Sequence, residues 1–270
     1  MTATSDQPMD ADPPVGAHRP APGRPRVLTA TVPPLVRRLT AELTGTAFLV
    51  AGVVGSGIMA ERLTDDRGLQ LLQNAAATAG VLGALILALG PASGAHFNPV
   101  VTLVDRAYGG IETSMAALYI VAQVGGAIVG AIAANAMFGL PLVDWSTTVR
   151  SGGDLWFAEG VATLGLLVVI FGIARSGRST VVAFAVAGYI AGAYYFTSST
   201  SFANPAVTIG RAFSNTFAGI DPSSVPMFVV AQLVGAVAAG GLILVMYPDV
   251  AGSAEDVVVP HGDGPPAGAP

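Results

Sequence analysis

The chain has 270 residues, 52% of them hydrophobic and only 11% charged, with mean hydropathy +0.64 and a formal net charge of -5. This balance excludes an ordinary soluble domain, and it lacks the basic surface that a nucleic-acid binder needs. There is no cysteine, so disulfides, thiolate metal sites and a cysteine nucleophile are excluded as well.

Residues 1–34, rich in Pro, Ala and Asp, have no uninterrupted apolar run of the signal-peptide kind and read as a disordered tail. Six stretches are then long and apolar enough to cross a hydrocarbon core, at about 36–60, 69–90, 113–138, 155–174, 180–198 and 225–247. The chain from 248 to 270 reads as a second disordered tail. The expected fold class is an all-α integral membrane protein with a channel domain over 35–247. That domain divides into repeat one, about 35–138, and repeat two, about 155–247. All twelve basic residues are Arg. Arg37 and Arg38 before the first span and Arg175 and Arg178 between spans four and five fall on one side of the membrane. By the positive-inside rule this predicts cytoplasmic termini and a multi-pass protein of the plasma (inner) membrane.

Between spans two and three lies Asn98-Pro99-Val100, and between spans five and six Asn204-Pro205-Ala206. Asn is a favoured helix N-cap and Pro a favoured first helical residue, so each tripeptide opens a helix too short to span. Three landmarks recur in order: Glu42 and Glu159, the two Asn-Pro motifs, and Gln123 and Gln232, at offsets of 117, 106 and 109. Each repeat holds an odd number of spans, so the second is inverted relative to the first and the two half-helices meet near the midplane. Gly126 and Gly130, Gly188 and Gly192, and Gly235 and Ala239 are spaced for close helix contact.

The segments Gly94-Ala95-His96-Phe97 and Thr200-Ser201-Phe202-Ala203 precede the half-helices. At mid-membrane such non-helical backbone must be buried in protein or line water, so their carbonyls are expected to form two ladders of acceptors along a pore. The amides of Asn98 and Asn204 would add donors where the ladders meet. Two helix N-termini directed at one spot add about half an elementary charge each, which repels cations and tolerates neutral hydrogen-bonding molecules. Glu42 and Glu159 are read either as acceptors for the backbone N–H groups of the two segments or as a proton relay. His96 could gate, titrate or fix its loop. No nucleophile-base pair, metal cluster, cofactor motif or nucleotide loop is present, and none of these is expected.

The stretches from Ser93 to Thr102 and from Phe202 to Thr208 resemble the paired signatures of the aquaporin (major intrinsic protein) family. The resemblance covers about 36–247. It implies six transmembrane helices plus two re-entrant half-helices, a pore in each protomer, and a homotetramer in the lipid bilayer. The pore midplane would comprise Asn98, Pro99, Val100, Asn204, Pro205 and Ala206. The family's four constriction positions map to Thr78, Gly192, Ser201 and Val207. Typical water and glycerol channels have Arg where this chain has Val207, and Arg211 lies one turn further on. This pattern is similar to that of aquaporins from bacterial arsenic-resistance clusters. The function so implied is passive conduction of small neutral solutes such as arsenous acid or related arsenicals, with water as a possible permeant. A general water and glycerol facilitator is the alternative, and an ion-coupled secondary transporter is the alternative of another class.

Overall fold

A computed structural model describes residues 34–248. The tails read from the sequence lie outside the described residues, apart from Pro34 and Pro248. The described chain forms eight α-helices: α1 Leu35–Leu63, α2 Arg67–Ser93, α3 Pro99–Tyr108, α4 Thr113–Met137, α5 Gly153–Arg175, α6 Val182–Phe196, α7 Pro205–Arg211 and α8 Val225–Met246. A short 3-10 turn, Ser179–Val181, leads into α6. Six helical stretches are long and apolar enough to cross a membrane, whereas α3 and α7, at about 15 and 10 Å, are far short of a bilayer core.

Local chemistry sets the short helices. The Asn98 side-chain oxygen accepts from Val100 N at 3.1 Å, and that of Asn204 from Ala206 N at 2.9 Å. Pro99 and Pro205 follow at the first helical position, where the missing N–H costs nothing. Gly94, at φ 88°, ends α2 in the left-handed conformation and turns the chain back toward the membrane centre.

Packing follows the repeat. α1 packs on α4 as α5 packs on α8, α1 on α2 as α5 on α6, and α4 on α7 as α8 on α3. Two further contacts, α2 with α6 and α3 with α7, join an element to its own counterpart and so lie on the pseudo-twofold axis of the inverted repeat. Small residues allow the close approaches. A Cβ on Gly126 or Gly130 would strike the Leu43 or Ala47 carbonyl of α1, and one on Gly235 the Gly160 carbonyl of α5. Gly188 and Gly192 differ from this expectation: both are exposed, and a Cβ at either meets nothing among the described residues.

Past α4 the chain crosses to the loop that follows α7. Asp144 N and Ser146 N donate to the Phe213 and Ala212 carbonyls, Asp221 N donates to the Thr148 carbonyl, and the Asn135 amide donates to the Phe213 carbonyl at 2.9 Å. One mouth of the molecule is thereby braced.

Candidate functional site

Four helices and the two re-entrant segments enclose a cavity along the axis. Each helix presents a stripe at helical spacing: Leu49 and Val53 from α1, Thr78, Leu82 and Ile86 from α2, Leu166 and Ile170 from α5, Val186, Ile190 and Tyr194 from α6. Opposite this largely apolar wall lie Ala95, His96, Phe97 and Asn98 from one segment and Ser201, Phe202, Ala203 and Asn204 from the other, with Val101, Val207 and Arg211 from the half-helices. Measured at the centres of water-sized molecules the cavity is about 60 Å3, room for a short file of roughly four to six waters.

The lining obeys the repeat. Leu49 and Val53 correspond to Leu166 and Ile170 at an offset of 117, the α2 trio to the α6 trio at 108, and the loop and half-helix residues to one another at 106. Arg211 alone lines the cavity without its counterpart, Asp105.

Two carboxylates hold the backbone facing this cavity. Glu42 accepts from Ser93 Oγ at 2.6 Å, His96 N at 3.0 Å, Phe97 N at 2.8 Å and Gln123 Nε2 at 2.8 Å. Glu159 accepts from Phe202 N at 2.8 Å, Ala203 N at 2.9 Å and Gln232 Nε2 at 2.7 Å. Each glutamine reaches on to a half-helix threonine, Thr102 or Thr208. Both carboxylates are fully buried. The backbone they hold is strained: Ala95, Phe97, Thr200, Ser201 and Ala203 have φ between 47° and 62°, a region that costs a non-glycine residue about 1–3 kcal/mol.

The asparagines do two things at once. Each caps its own half-helix through oxygen, while its amide donates across the axis, Asn98 Nδ2 to the Ala203 carbonyl and Asn204 Nδ2 to the Phe97 carbonyl, both at 2.8 Å. An amide nitrogen has two N–H groups, so one remains on each asparagine, and both residues line the cavity. Pro99, Val100, Pro205 and Ala206 are buried behind them, outside the lining. Val100, which the resemblance places at the pore midplane, therefore stands off the axis, and Val101 is the valine that lines the cavity. Gly94 and Thr200 likewise stand outside the lining, unlike the other six residues of the two ladders.

At the α7 mouth Thr78, Ser201 and Val207 come together and Gly192 does not. Gly192 lies on the exposed face of α6, so the position read from the sequence is two residues short: Tyr194 faces the cavity, with its hydroxyl 3.1 Å from Thr78 Oγ1. The stripe Val186, Ile190, Tyr194, one residue per turn, was the signal for it. The mouth also holds a charge that the four positions lack. Arg211 is buried, lies 3.4 Å from the Phe202 ring centroid and donates through Nε to the Ala218 carbonyl. Arg150, in the bracing loop, donates to the Gly219 and Phe217 carbonyls and also stands over Phe202, at 5.1 Å. Burial lowers the Arg150 pKa from its ordinary value, with the charge of Glu159 opposing the shift. At the opposite mouth His96 Nδ1 meets Thr102 Oγ1 at 3.0 Å and Nε2 stands 3.6 Å from buried Asp105. Sequence reasoning passed over Asp105.

The chain matches the major intrinsic protein family over residues 29–181 and 157–263. It is 51% identical over 209 residues to the aquaglyceroporin AqpS of Rhizobium meliloti (strain 1021), covering 77% of this chain and 89% of that protein. It is 29% identical over 237 residues to the probable aquaporin AqpM of Archaeoglobus fulgidus, covering 77% and 96%. The X-ray structure of the aquaglyceroporin from Plasmodium falciparum shares the fold at a TM-score of 0.61 and 21% identity, over 80% of this chain and 99% of that one.

Proposed function

We propose, from the premise that this chain belongs to the major intrinsic protein family and is a passive multi-pass channel for small uncharged solutes, that its permeants are water and polyols of the glycerol class. Members of that family are channels and not enzymes. What supports the finer reading is the mixed lining: Asn98, Asn204 and the two re-entrant segments that precede them, together with Leu, Ile and Val residues of α1, α2, α5 and α6. A polyol in file can bond its hydroxyls to the polar groups while its carbon chain lies against the apolar ones. A charged solute loses hydration that neither replaces. The name of the Rhizobium meliloti relative supports the same class of permeant.

Val207 favours a second group of permeants within this reading. With valine where typical channels carry arginine, the α7 mouth has width for compact neutral hydroxides, of which arsenous acid, with three hydroxyls on one centre, is the nearest to glycerol in shape. The ion-coupled alternative has less support, because Glu42 and Glu159 spend their oxygens on backbone and amide donors and are not among the residues that line the cavity. Assembly as a homotetramer and cytoplasmic termini complete the proposal.

Stopped-flow measurements on proteoliposomes, comparing water, glycerol, urea and arsenous acid in one preparation, test it. Glycerol should cross at a rate linear in its gradient and indifferent to membrane potential. A saturating flux driven by an ion gradient would refute the channel reading, and water flux without glycerol flux would refute the polyol class.

A further inference from the structure

The geometry points to Arg211 as the residue that sets charge selectivity at the α7 mouth, taking over from one turn further along the helix the role that the resemblance leaves vacant at Val207. The inference rests on the pore reading above and adds the identity of its cation barrier.

Four observations carry it. First, Arg211 is 2% exposed, yet it lines the axial cavity. Its guanidinium has five N–H donors; Nε is spent on the Ala218 carbonyl, and among the described residues the other four form no hydrogen bond and no carboxylate stands within ion-pair distance. A buried cation with no carboxylate beside it is strongly unfavourable unless something in the lumen solvates it. Second, its direction is right. Helical side chains lean toward the N-terminal turn, so a long side chain at 211, about 6 Å along the axis from 207, reaches back over the space that Val207 leaves open.

Third, the group is held and does not drift. It lies over the Phe202 ring, and the loop bearing Ala218 is braced by Asn135, Ser146 and Arg150. Ser201 Oγ, buried in the same lining, also has no partner, so an unfilled hydroxyl and unfilled N–H groups border one stretch of the file. Fourth, Arg211 breaks the repeat. Ten pairs of lining residues match across the two halves, while Arg211 enters the cavity without Asp105. A cation fixed there repels cations and offers donors to hydroxyl oxygens, and it leaves the valine's width to neutral solutes.

The test uses the full chain reconstituted in liposomes, with proton and sodium leak under an imposed potential normalised to osmotic water permeability in the same vesicles. Arg211→Gln should raise cation leak per unit water flux by about tenfold or more, Arg211→Lys should hold it within about threefold of the parent, and Arg211→Gln combined with Val207→Arg should restore tightness. Arg211→Met, similar in length and uncharged, repeats the test should the Gln variant not insert. Tight Gln or Met variants would overturn the assignment, as would equal leak in the Lys and Gln variants. Loss of water conduction in both uncharged variants, with Lys conducting, would also overturn it by reducing Arg211 to a brace for the Ala218 loop. Absence of neutral-solute flux in the parent chain would instead strike the pore reading itself.

Discussion

In the proposal above, positions 207 and 211 divide between them two properties that one arginine would otherwise combine. Val207 is small and faces the cavity, while Arg211 supplies a charge that lies back against Phe202. Val207→Arg should therefore close the width without being needed for charge. A second guanidinium beside Arg211 narrows the file and repels the first, so glycerol and arsenous acid permeability should fall by about tenfold or more while water, small enough to bond in single file, remains measurable. Parallel light-scattering traces at equal reconstituted protein check this; unchanged glycerol flux would mean that 207 does not border the constriction. Val207 was legible as a departure because it directly follows the second Asn-Pro motif. Arg211 was read as displaced from the filter, since sequence spacing locates a Cα and not the end of a long side chain.

The re-entrant segments are the elements under most strain, and their stability is lent by α1 and α5. Three donors converge on Glu159, namely Phe202 N, Ala203 N and Gln232 Nε2. Glu159→Leu leaves the two backbone N–H groups buried and unpaired at about 1–3 kcal/mol each, on top of the strain they offset, while Gln232 Nε2 keeps only its bond to Thr208 Oγ1. Thermal unfolding of the purified protein in detergent should show a clear fall in Tm for Glu159→Leu and none for Glu112→Gln, whose exposed side chain caps nothing. Equal Tm values would sink the clamp. The two glutamates could be paired with the loops from sequence because a carboxylate inside a membrane needs donors and irregular backbone needs acceptors. Their partners Gln123 and Gln232, and the links to Thr102 and Thr208, depend on how α4 and α8 rotate about their axes, and periodicity in an almost uniformly apolar helix is too weak a signal to set that.

For the whole molecule the open quantity is orientation. The chain has no cysteine, so single cysteines report cleanly: Ser176→Cys, in the exposed loop before α6, and Val149→Cys, at an exposed site in the loop after α4. If the termini are cytoplasmic, an impermeant thiol reagent outside intact cells should label only the Val149 variant. Labelling of the Ser176 variant alone would invert the topology. Much of the architecture needed no coordinates. Bilayer thickness demands long apolar runs, and two Asn-Pro caps at matched offsets in halves of three spans force opposed half-helices. Other features were decided by tertiary structure alone. Tyr194 in place of Gly192, Val101 in place of Val100, and the entry of Arg211 without Asp105 all turn on which way a side chain faces once helices pack. One residue along a helix rotates a side chain by about 100°, and in lipid both the inner and the outer face of a helix are apolar, so only the packed neighbours distinguish the face that lines the pore from the face that meets the membrane.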